Sequence, residues 1–355
     1  MSNSELMPIG VFARRTGLTP SALRFYADSG LLPPAETDPV SGYRYYGADQ
    51  VPRAATLRRL RRIAMPLTTA EAVLDAGPGE ASRLIDEHVA KVLGDAAAVR
   101  GEAAELKSSL HGAPSRPVAA LKGPVLADAV EQVLTATACD PELPVLGGLR
   151  VEATAEAVAL TATDRYRLST RTLVPAEPAA TAWAATVDGG ELRSAAGEMR
   201  RSPLVRIEAT PYGVRLRMAG REDRHCRVLT EEFPDHHLML ASLPEATTRV
   251  TVAKDALLRA LEEHPGERIE LHVALHGLSL PAAGGHPGAP LPATVTGREA
   301  RISFELTTLY PAVSTAIGPD VMLDLRGHDQ PVTVRSADRG DLTTWAMPVS
   351  PDHRA

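Results

Sequence analysis

The sequence predicts a multidomain protein: an all-α winged helix-turn-helix, then a long dimerisation helix, then an α+β part built from two similar domains. Three observations support this fold class. Two short amphipathic segments joined by a glycine lie near the start of the chain, a heptad repeat of apolar residues follows, and alternating strand-like runs fill the remainder. The length of 355 residues suits two or three domains.

The first segment, residues 7–76, begins with the pattern of a helix-turn-helix. Residues 8–16 predict a short helix, and Gly17 permits the tight turn that follows it. Thr19 is a favourable N-cap, and Pro20 suits the first position of the second helix. Such a pair can place one helix in the major groove of DNA while the other helix supports it.

A wing and a second helix pair follow. The run SGYRYY (residues 41–46) predicts a turn and a short strand, and an L-T-x-x-E run (residues 67–71) ends the second pair. With TGLTPSALRFY and SGLL before them, these motifs closely resemble the DNA-binding domain of the MerR family. In that family the second helix enters the major groove and the wing touches the DNA backbone. The resemblance implies DNA contacts from Thr19, Ser21, Arg24, Tyr26, Arg44, Tyr45, Arg58 and Arg61.

Packing in the core is an alternative role for some of these side chains. Tyr45 and Tyr46 alternate along a strand, so one of them is expected in the core. Tyr26 could equally pack rather than touch DNA. Two of the four arginines between positions 58 and 62 could simply solvate a helix face. Arg24 and Arg44 are therefore the firmest of the predicted DNA contacts.

Residues 79–111 predict one long helix with an apolar stripe. Its members alternate at spacings of four and three: Ile85, Val89, Val92, Ala96, Val99, Ala103, Leu106 and Leu110. This heptad seam predicts a homodimer through residues 85–110, and the MerR resemblance implies an antiparallel pair. The alternative is that the stripe packs on the C-terminal part of its own chain. A two-fold dimer would require a pseudo-palindromic operator in double-stranded DNA.

The remainder predicts two α+β domains, residues 118–245 and 246–350, each alternating helices with antiparallel hairpins. Helices are expected over residues 118–137, 190–201, 253–263 and 307–316. The runs LPVLGGLRVEA, LTATDRYRLS, EEFPDHH, ISFELTTLYPAV and TTWAMPV resemble the second and third domains of the bacterial DNA polymerase III beta sliding clamp, in that order. The clamp's first domain has no counterpart, so we expect no closed processivity ring.

The resemblance to the clamp also implies a pocket, because that family binds short peptides between these two domains. The matching positions are Leu146, Thr163, Arg165, Tyr166, Arg167, Leu168, Pro234, Met239, Met347, Pro348 and Val349. Arg165 and Tyr166 replace the usual Gly-His of the family, so ordinary clamp-binding peptides are not expected to fit. A peptide or small-molecule effector could bind there instead. The alternative is that these residues form a hydrophobic core at a domain junction.

Composition and motifs exclude several other functions. The net charge of -6 confines any DNA contact to a local basic surface, and two distant cysteines indicate neither disulfides nor a thiolate metal site. No signal peptide, membrane span, phosphate-binding loop or catalytic constellation is evident, so we expect a cytoplasmic, nucleoid-associated protein that is not an enzyme and has no cofactor. No metal site is expected either. His236 and His237 should point apart on an extended loop, and His272 and His276 should share a strand face without a carboxylate at ligand spacing.

These expectations converge on a transcriptional regulator of MerR type that binds a promoter operator as a dimer, with RNA polymerase as a further expected partner. MerR-type proteins distort promoter DNA, and such a deformation costs a few kcal/mol in order of magnitude, about what specific contacts can supply. Two alternatives remain open at this point. One is a replication- or repair-associated clamp homologue targeted to DNA, and the other is a binder of clamp-directed inhibitors.

Overall fold

The computed structural model describes residues 6–111, 115–275, 277–281, 290–337 and 340–349. The chain divides into two compact units, Met1–Val99 and Arg100–Ala355, which we call the N-terminal unit and the C-terminal unit. Among the described residues, no helix is both long enough and apolar enough to cross a membrane.

The N-terminal unit is helical, with a small three-stranded sheet in the order β1-β3-β2. Its elements are β1 Leu6–Pro8, α1 Ile9–Thr16, α2 Pro20–Asp28, β2 Glu36–Thr37, β3 Arg44–Gly47, a 3-10 turn Ala48–Gln50, α3 Val51–Arg62, α4 Leu67–Asp75 and the first part of α5 Pro78–His111. The core is centred on Phe12 and Tyr46, whose rings stack with centroids 4.6 Å apart. Leu23 and Leu57 are fully buried beside them. This packing fixes α2 and β3 on one support.

Helix α5 continues from the N-terminal unit into the C-terminal unit as one 34-residue element. The predicted apolar stripe changes environment along it. Ile85 is half-buried against the core of the N-terminal unit, whereas Val89, Val92 and Val99 are 44%, 45% and 68% exposed. The side chain of Leu110 lies outside the described residues.

The C-terminal unit alternates helices with antiparallel sheets. Its elements are β4 Arg116–Lys122, α6 Gly123–Val133, 3-10 turns Leu134–Ala136 and Pro144–Gly147, β5 Gly148–Ala153, β6 Val158–Thr163, β7 Arg167–Leu173, β8 Trp183–Asp188, α7 Gly189–Arg200, β9 Leu204–Thr210, β10 Gly213–Met218, β11 Arg224–Cys226, β12 Val228–Leu229, α8 His236–Ala241, β13 Thr248–Ala253, α9 Lys254–Glu263, β14 Arg268–Ala274, β15 Gly277–Ser279, β16 Pro290–Leu291, β17 Ala293–Gly297, β18 Ala300–Glu305, α10 Leu306–Ser314, β19 Asp320–Leu325, β20 Val332–Ser336 and β21 Leu342–Ala346.

A ten-stranded sheet runs through the whole C-terminal unit, in the order β12-β8-β5-β6-β7-β21-β20-β19-β13-β17, and two four-stranded sheets flank it. Two hydrophobic cores form, one built mainly from residues before position 230 and the other from residues 250–346. The pairing of β7 with β21 joins the two halves, with Leu168 opposite Trp345. The α+β prediction is thus confirmed for this part of the chain.

One predicted helix is partly wrong. Residues 118–122 belong to strand β4 rather than to a helix, because their backbone pairs with β9 along the edge of a sheet. The helix begins only at Gly123, which is packed so closely that an added Cβ would lie 2.0 Å from the Ser202 carbonyl oxygen. The two predicted second helices, in contrast, are found as α7 and α10 within two residues of their expected bounds.

Candidate nucleic-acid interface and peptide pocket

Helix α2 presents a polar face to solvent. The Thr19 hydroxyl accepts a hydrogen bond from the Ala22 amide at 3.1 Å, which confirms it as the N-cap. Ser21 and Arg24 are exposed on the same side, next to Phe25, which is 54% exposed. The part of the chain that the structure describes offers the Arg24 guanidinium no ion-pair or hydrogen-bond partner. This side of the helix is free to meet a ligand.

The tyrosines divide between the core and the surface. Tyr26 is 8% exposed and belongs to the core of the N-terminal unit, which supports the packing alternative for this ring, and its contact with DNA stays a prediction. Tyr46 is fully buried, its hydroxyl donates to the Leu23 carbonyl at 3.3 Å, and burial raises its pKa. Tyr45 is half-buried, with its ring 5.4 Å from that of Tyr43. The expectation that one of the adjacent pair is core is confirmed.

Arg44 of the wing is tied to helix α2. Its guanidinium donates to the Arg24 carbonyl at 2.9 Å and to an Asp28 carboxylate oxygen at 2.7 Å. A guanidinium has five N–H donors, and these contacts use only part of that set. Arg44 therefore braces the wing against the last turn of α2, and any contact with DNA would come from its remaining donors.

The four arginines near the end of helix α3, at positions 58, 59, 61 and 62, fall into two pairs. Arg58 donates to the Thr16 carbonyl at 3.1 Å, at the end of α1, and Arg61 donates to the Met65 carbonyl. Arg58 therefore caps the end of α1, and Arg61 holds the turn between α3 and α4; the sequence did not predict either structural role. Arg59 and Arg62 are exposed, and their guanidinium groups have no such main-chain partner among the described residues.

Several of the predicted pocket residues meet where β7 begins and β21 ends. The Met347 amide donates to the Tyr166 carbonyl at 2.8 Å, and Ala346 lies opposite Arg167 in the sheet. Tyr166 is 65% exposed and Met347 36% exposed. Pro348 and Val349 follow directly, both half-buried. Tyr166 and Met347 are thus the members best placed to touch a ligand.

The turn before β7 is held by an internal ion pair. Arg167 is 9% exposed and donates to an Asp164 carboxylate oxygen at 2.7 Å and 2.9 Å, and to the Thr135 carbonyl at 2.8 Å. Arg165 has a left-handed backbone with φ of 76° and bonds to Asp140 at 2.6 Å. The Thr163 hydroxyl donates to the Arg167 carbonyl at 2.8 Å. These contacts position Tyr166 at the tip of the turn.

The apolar residues of the predicted pocket differ in how far they are exposed to solvent. Leu146 and Leu168 are 2% and 5% exposed, and Leu146 packs against Phe233. Pro234 is exposed, and Met239 is half-buried on helix α8. The predicted set therefore combines buried core positions with exposed surface positions.

The prediction that His236 and His237 point apart on an extended loop is wrong. They begin helix α8 instead of lying on an extended loop, and both rings approach Glu152 of β5. The Oε2 atom of Glu152 lies 3.4 Å from His236 Nε2 and 3.2 Å from His237 Nε2. Burial, assisted by the neighbouring His237, lowers the pKa of His236, so that ring is neutral near pH 7. These three residues could hold a metal ion.

His272 was expected to lack a carboxylate neighbour, and this is also wrong. Its Nε2 atom lies 2.8 Å from a carboxylate oxygen of Glu270, two residues earlier on the same strand face. His276 lies outside the described residues.

Two family models match the chain. Residues 7–77 match the MerR HTH family regulatory protein, and residues 120–235 match the central domain of the DNA polymerase III beta subunit. The chain therefore combines an N-terminal MerR helix-turn-helix domain with a C-terminal module of the sliding-clamp fold, as both sequence resemblances predicted.

Known relatives match the two parts separately. The beta sliding clamp homolog GriR of Streptomyces muensis is 31% identical over 144 residues, which is 40% of this chain and 38% of that protein. The HTH-type transcriptional regulator CueR of Yersinia pestis is 40% identical over 62 residues, 17% of this chain and 43% of that protein. The chain thus spans about two fifths of the length of each of these curated relatives.

Among solved structures, the DnaN sliding clamp from Pseudomonas aeruginosa bound to griselimycin has the same fold as the C-terminal module. Its TM-score is 0.59 at 18% identity, over 65% of this chain and 64% of that one.

Proposed function

We propose that the protein is a dimeric transcriptional regulator of MerR type, acting on DNA at the nucleoid, whose clamp-like module binds an effector. The exposed face of α2 carries the proposal. Arg24 is available there because no described side chain neutralises it, and Arg44 holds the wing beside it. The family match adds the expectation that this helix enters the major groove. An Arg in that place can donate two hydrogen bonds to a guanine.

The dimer is proposed on the stripe along α5. A helix with Val89, Val92 and Val99 exposed on one seam leaves apolar area in water unless a second copy covers it. Two copies of the N-terminal unit would then read two half-sites of a pseudo-palindromic operator. RNA polymerase is the proposed partner at that promoter.

The first experiment is an occupancy map of the tagged full-length protein on the chromosome of growing cells. Sharp peaks at one or a few promoters, lost in Arg24→Ala, are expected. The matched control is Arg83→Ala, because Arg83 is an exposed arginine of the same unit that is paired with Glu80 and Glu87. Broad signal that survives Arg24→Ala would refute the regulator and favour the clamp homologue.

For the effector we propose a peptide that targets sliding clamps, with griselimycin as the probe. The observation behind this is that a clamp of the same fold has been solved with griselimycin bound. In the present chain, Tyr166 and Met347 are exposed and joined through their backbones at the turn before β7, where the sequence resemblance predicts the peptide pocket. Aromatic and methionine side chains on a supported surface are suited to an apolar peptide.

This proposal is tested by titrating griselimycin into the full chain in a calorimeter. One molecule per chain is expected, with binding at least tenfold weaker in Tyr166→Ala and Met347→Ala. The matched control is Leu275→Ala, because Leu275 is 60% exposed elsewhere on the same unit. Absence of binding would remove this effector and leave the DNA-binding proposal untouched.

The clamp homologue remains the second candidate, because the fold of the module is that of a clamp. The arginines of helix α7 argue against it, because their guanidinium groups are already engaged within the protein. On α7, Arg200 is paired with Asp128 and Glu131, and Arg193 donates to the Leu134 carbonyl. A clamp that tracks DNA needs cations facing phosphate.

A further inference from the structure

We propose that Glu152, His236 and His237 form a zinc site that fastens helix α8 to strand β5. The three residues are distinct from the predicted DNA contacts and from the predicted pocket positions, although two of the pocket positions, Pro234 and Met239, flank the histidines in sequence. Glu152 lies in the ten-stranded sheet, opposite Ala184 of β8 and Ala159 of β6. It is set on a strand that is hydrogen-bonded on both sides.

The local fold explains why two adjacent histidines point to one place. Asp235 caps α8 by accepting the Leu238 amide at 3.0 Å, and the His236 amide donates to the Pro234 carbonyl at 2.7 Å. The first turn of the helix therefore begins at His236. The two imidazoles lie side by side, with ring centroids 4.0 Å apart and planes inclined by 36°.

The distances suit a tetrahedral ion. Zinc–nitrogen bonds of about 2.0 Å and zinc–oxygen bonds of about 2.1 Å at the tetrahedral angle place two ligand atoms about 3.3 Å apart. The Oε2 atom of Glu152 is 3.4 Å from one imidazole nitrogen and 3.2 Å from the other. All the candidate ligand atoms lie within 4.8 Å of one another. The two separations from Glu152 thus already match a tetrahedral site, and the two imidazole nitrogens must adjust to about the same separation when the ion binds.

The two histidine side chains differ in how freely they can move, and this difference helps the imidazole rings to adjust to an ion. The His236 side chain is 6% exposed and its ring meets Phe233 edge-on at 5.7 Å, so it is fixed. The His237 side chain is 72% exposed and can turn toward the ion. The other carboxylate oxygen of Glu152, Oε1, lies 3.4 Å from His237 Nε2 and 3.8 Å from Arg150 Nε, so Oε2, which is closer to His237, is the oxygen proposed for the metal.

The surroundings favour a cation and leave room for solvent. The cluster lies in an open groove whose lining includes Glu231, Glu232 and Asp235, against Arg150 as the basic member. Two imidazoles and one carboxylate are a ligand set that zinc uses with a fourth position open to water. Imidazole ligands also favour zinc over magnesium or calcium, which prefer oxygen.

The test is equilibrium competition between metal-stripped full-length protein and a chromophoric zinc chelator. One zinc ion per chain is expected at micromolar or tighter affinity. Substituting Co²⁺ for zinc should give the visible absorption of a four-coordinate cobalt site. His237→Ala, which alters an exposed side chain, and Glu152→Gln, which keeps the shape, should each weaken binding at least tenfold. The expected signature is a loss of the same single site in both variants.

The matched control is His272→Ala, because His272 faces a carboxylate but has no second imidazole beside it among the described residues. That variant should bind zinc as the unchanged protein does. No stoichiometric binding, or binding that persists unchanged in both His237→Ala and Glu152→Gln, would overturn the proposal. Loss of binding in His272→Ala alone would place the metal elsewhere and overturn it too.

Discussion

Replacing Arg24 by alanine should weaken specific DNA binding at least about 30-fold without unfolding the protein. The Arg24 side chain is exposed on α2 and makes no hydrogen bond or ion pair with any described residue. Arg44 donates to the main-chain carbonyl of Arg24 at 2.9 Å. An alanine at position 24 keeps this carbonyl. The brace between wing and helix therefore survives the substitution. A surface change of this kind alters the free energy of unfolding by about 0.5 kcal/mol or less.

The loss of binding can be estimated from the symmetry of the proposed dimer. A bidentate arginine–base contact contributes about 1–3 kcal/mol to discrimination. Each dimer carries two copies of Arg24, so the substitution removes about 2–6 kcal/mol, which weakens binding by at least about 30-fold.

The assay is fluorescence anisotropy on a promoter fragment taken from the occupancy map, at one fixed salt concentration. Thermal unfolding of the same samples checks the fold. Arg83→Ala should bind as the unchanged protein does. If Arg24→Ala binds within twofold of the unchanged protein, or if Arg83→Ala is equally weakened, α2 is not the recognition helix.

Three further predictions concern the rest of the chain. Asp164→Ala should destabilise the C-terminal unit by about 3–5 kcal/mol in urea unfolding, because it leaves the nearly buried Arg167 without its carboxylate; a loss under 1 kcal/mol would contradict this. Burial raises the pKa of Cys226 to about 12, so at pH 8 a thiol reagent should label only the exposed Cys139 in the folded protein and both thiols after denaturation. Val99→Glu should weaken dimerisation at least tenfold in sedimentation experiments, because it puts a charge into the apolar seam of α5, whereas an unchanged dimer would favour another interface.

Local chemistry made much of the N-terminal unit predictable. The cap at Thr19, the proline after it and the glycine at position 17 each impose a conformation through neighbouring residues alone, and the structure places α2 where they indicate. Tyr46 could be recognised as one of two core candidates by strand alternation. The sequence could not predict which arginines of α3 would donate hydrogen bonds to main-chain carbonyls within the protein. Arg58 reaches the Thr16 carbonyl, 42 positions away, and only the tertiary fold sets that contact.

The incorrect predictions in the C-terminal unit, for strand β4 and helix α8, also arise where local sequence patterns do not determine the structure. Residues 118–121 are consecutively buried, so their run has no period-two alternation to reveal β4. Helix α8 did carry a local signal, since Asp235 before two histidines is a good N-cap, but its length of six residues is short for detection. The approach of both rings to Glu152 depends on the packing of α8 against β5, which no local pattern encodes.

The charge distribution gives a last test, which separates a regulator from a clamp. Binding that neutralises phosphates weakens with salt, and each contact adds about 0.9 to the slope of log affinity against log salt concentration. Arg59 is exposed on α3 without an acidic partner among the described residues, whereas Arg200 on α7 is held by Asp128 and Glu131 at 2.8 Å and 2.9 Å. In the proposed dimer, Arg59→Ala should therefore lower the slope by about 1.8, from two lost contacts. Arg200→Ala should leave the slope unchanged, because that guanidinium is already neutralised inside the protein. The opposite pattern, a slope that falls with Arg200→Ala and not with Arg59→Ala, would mean that the clamp-like module itself contacts DNA.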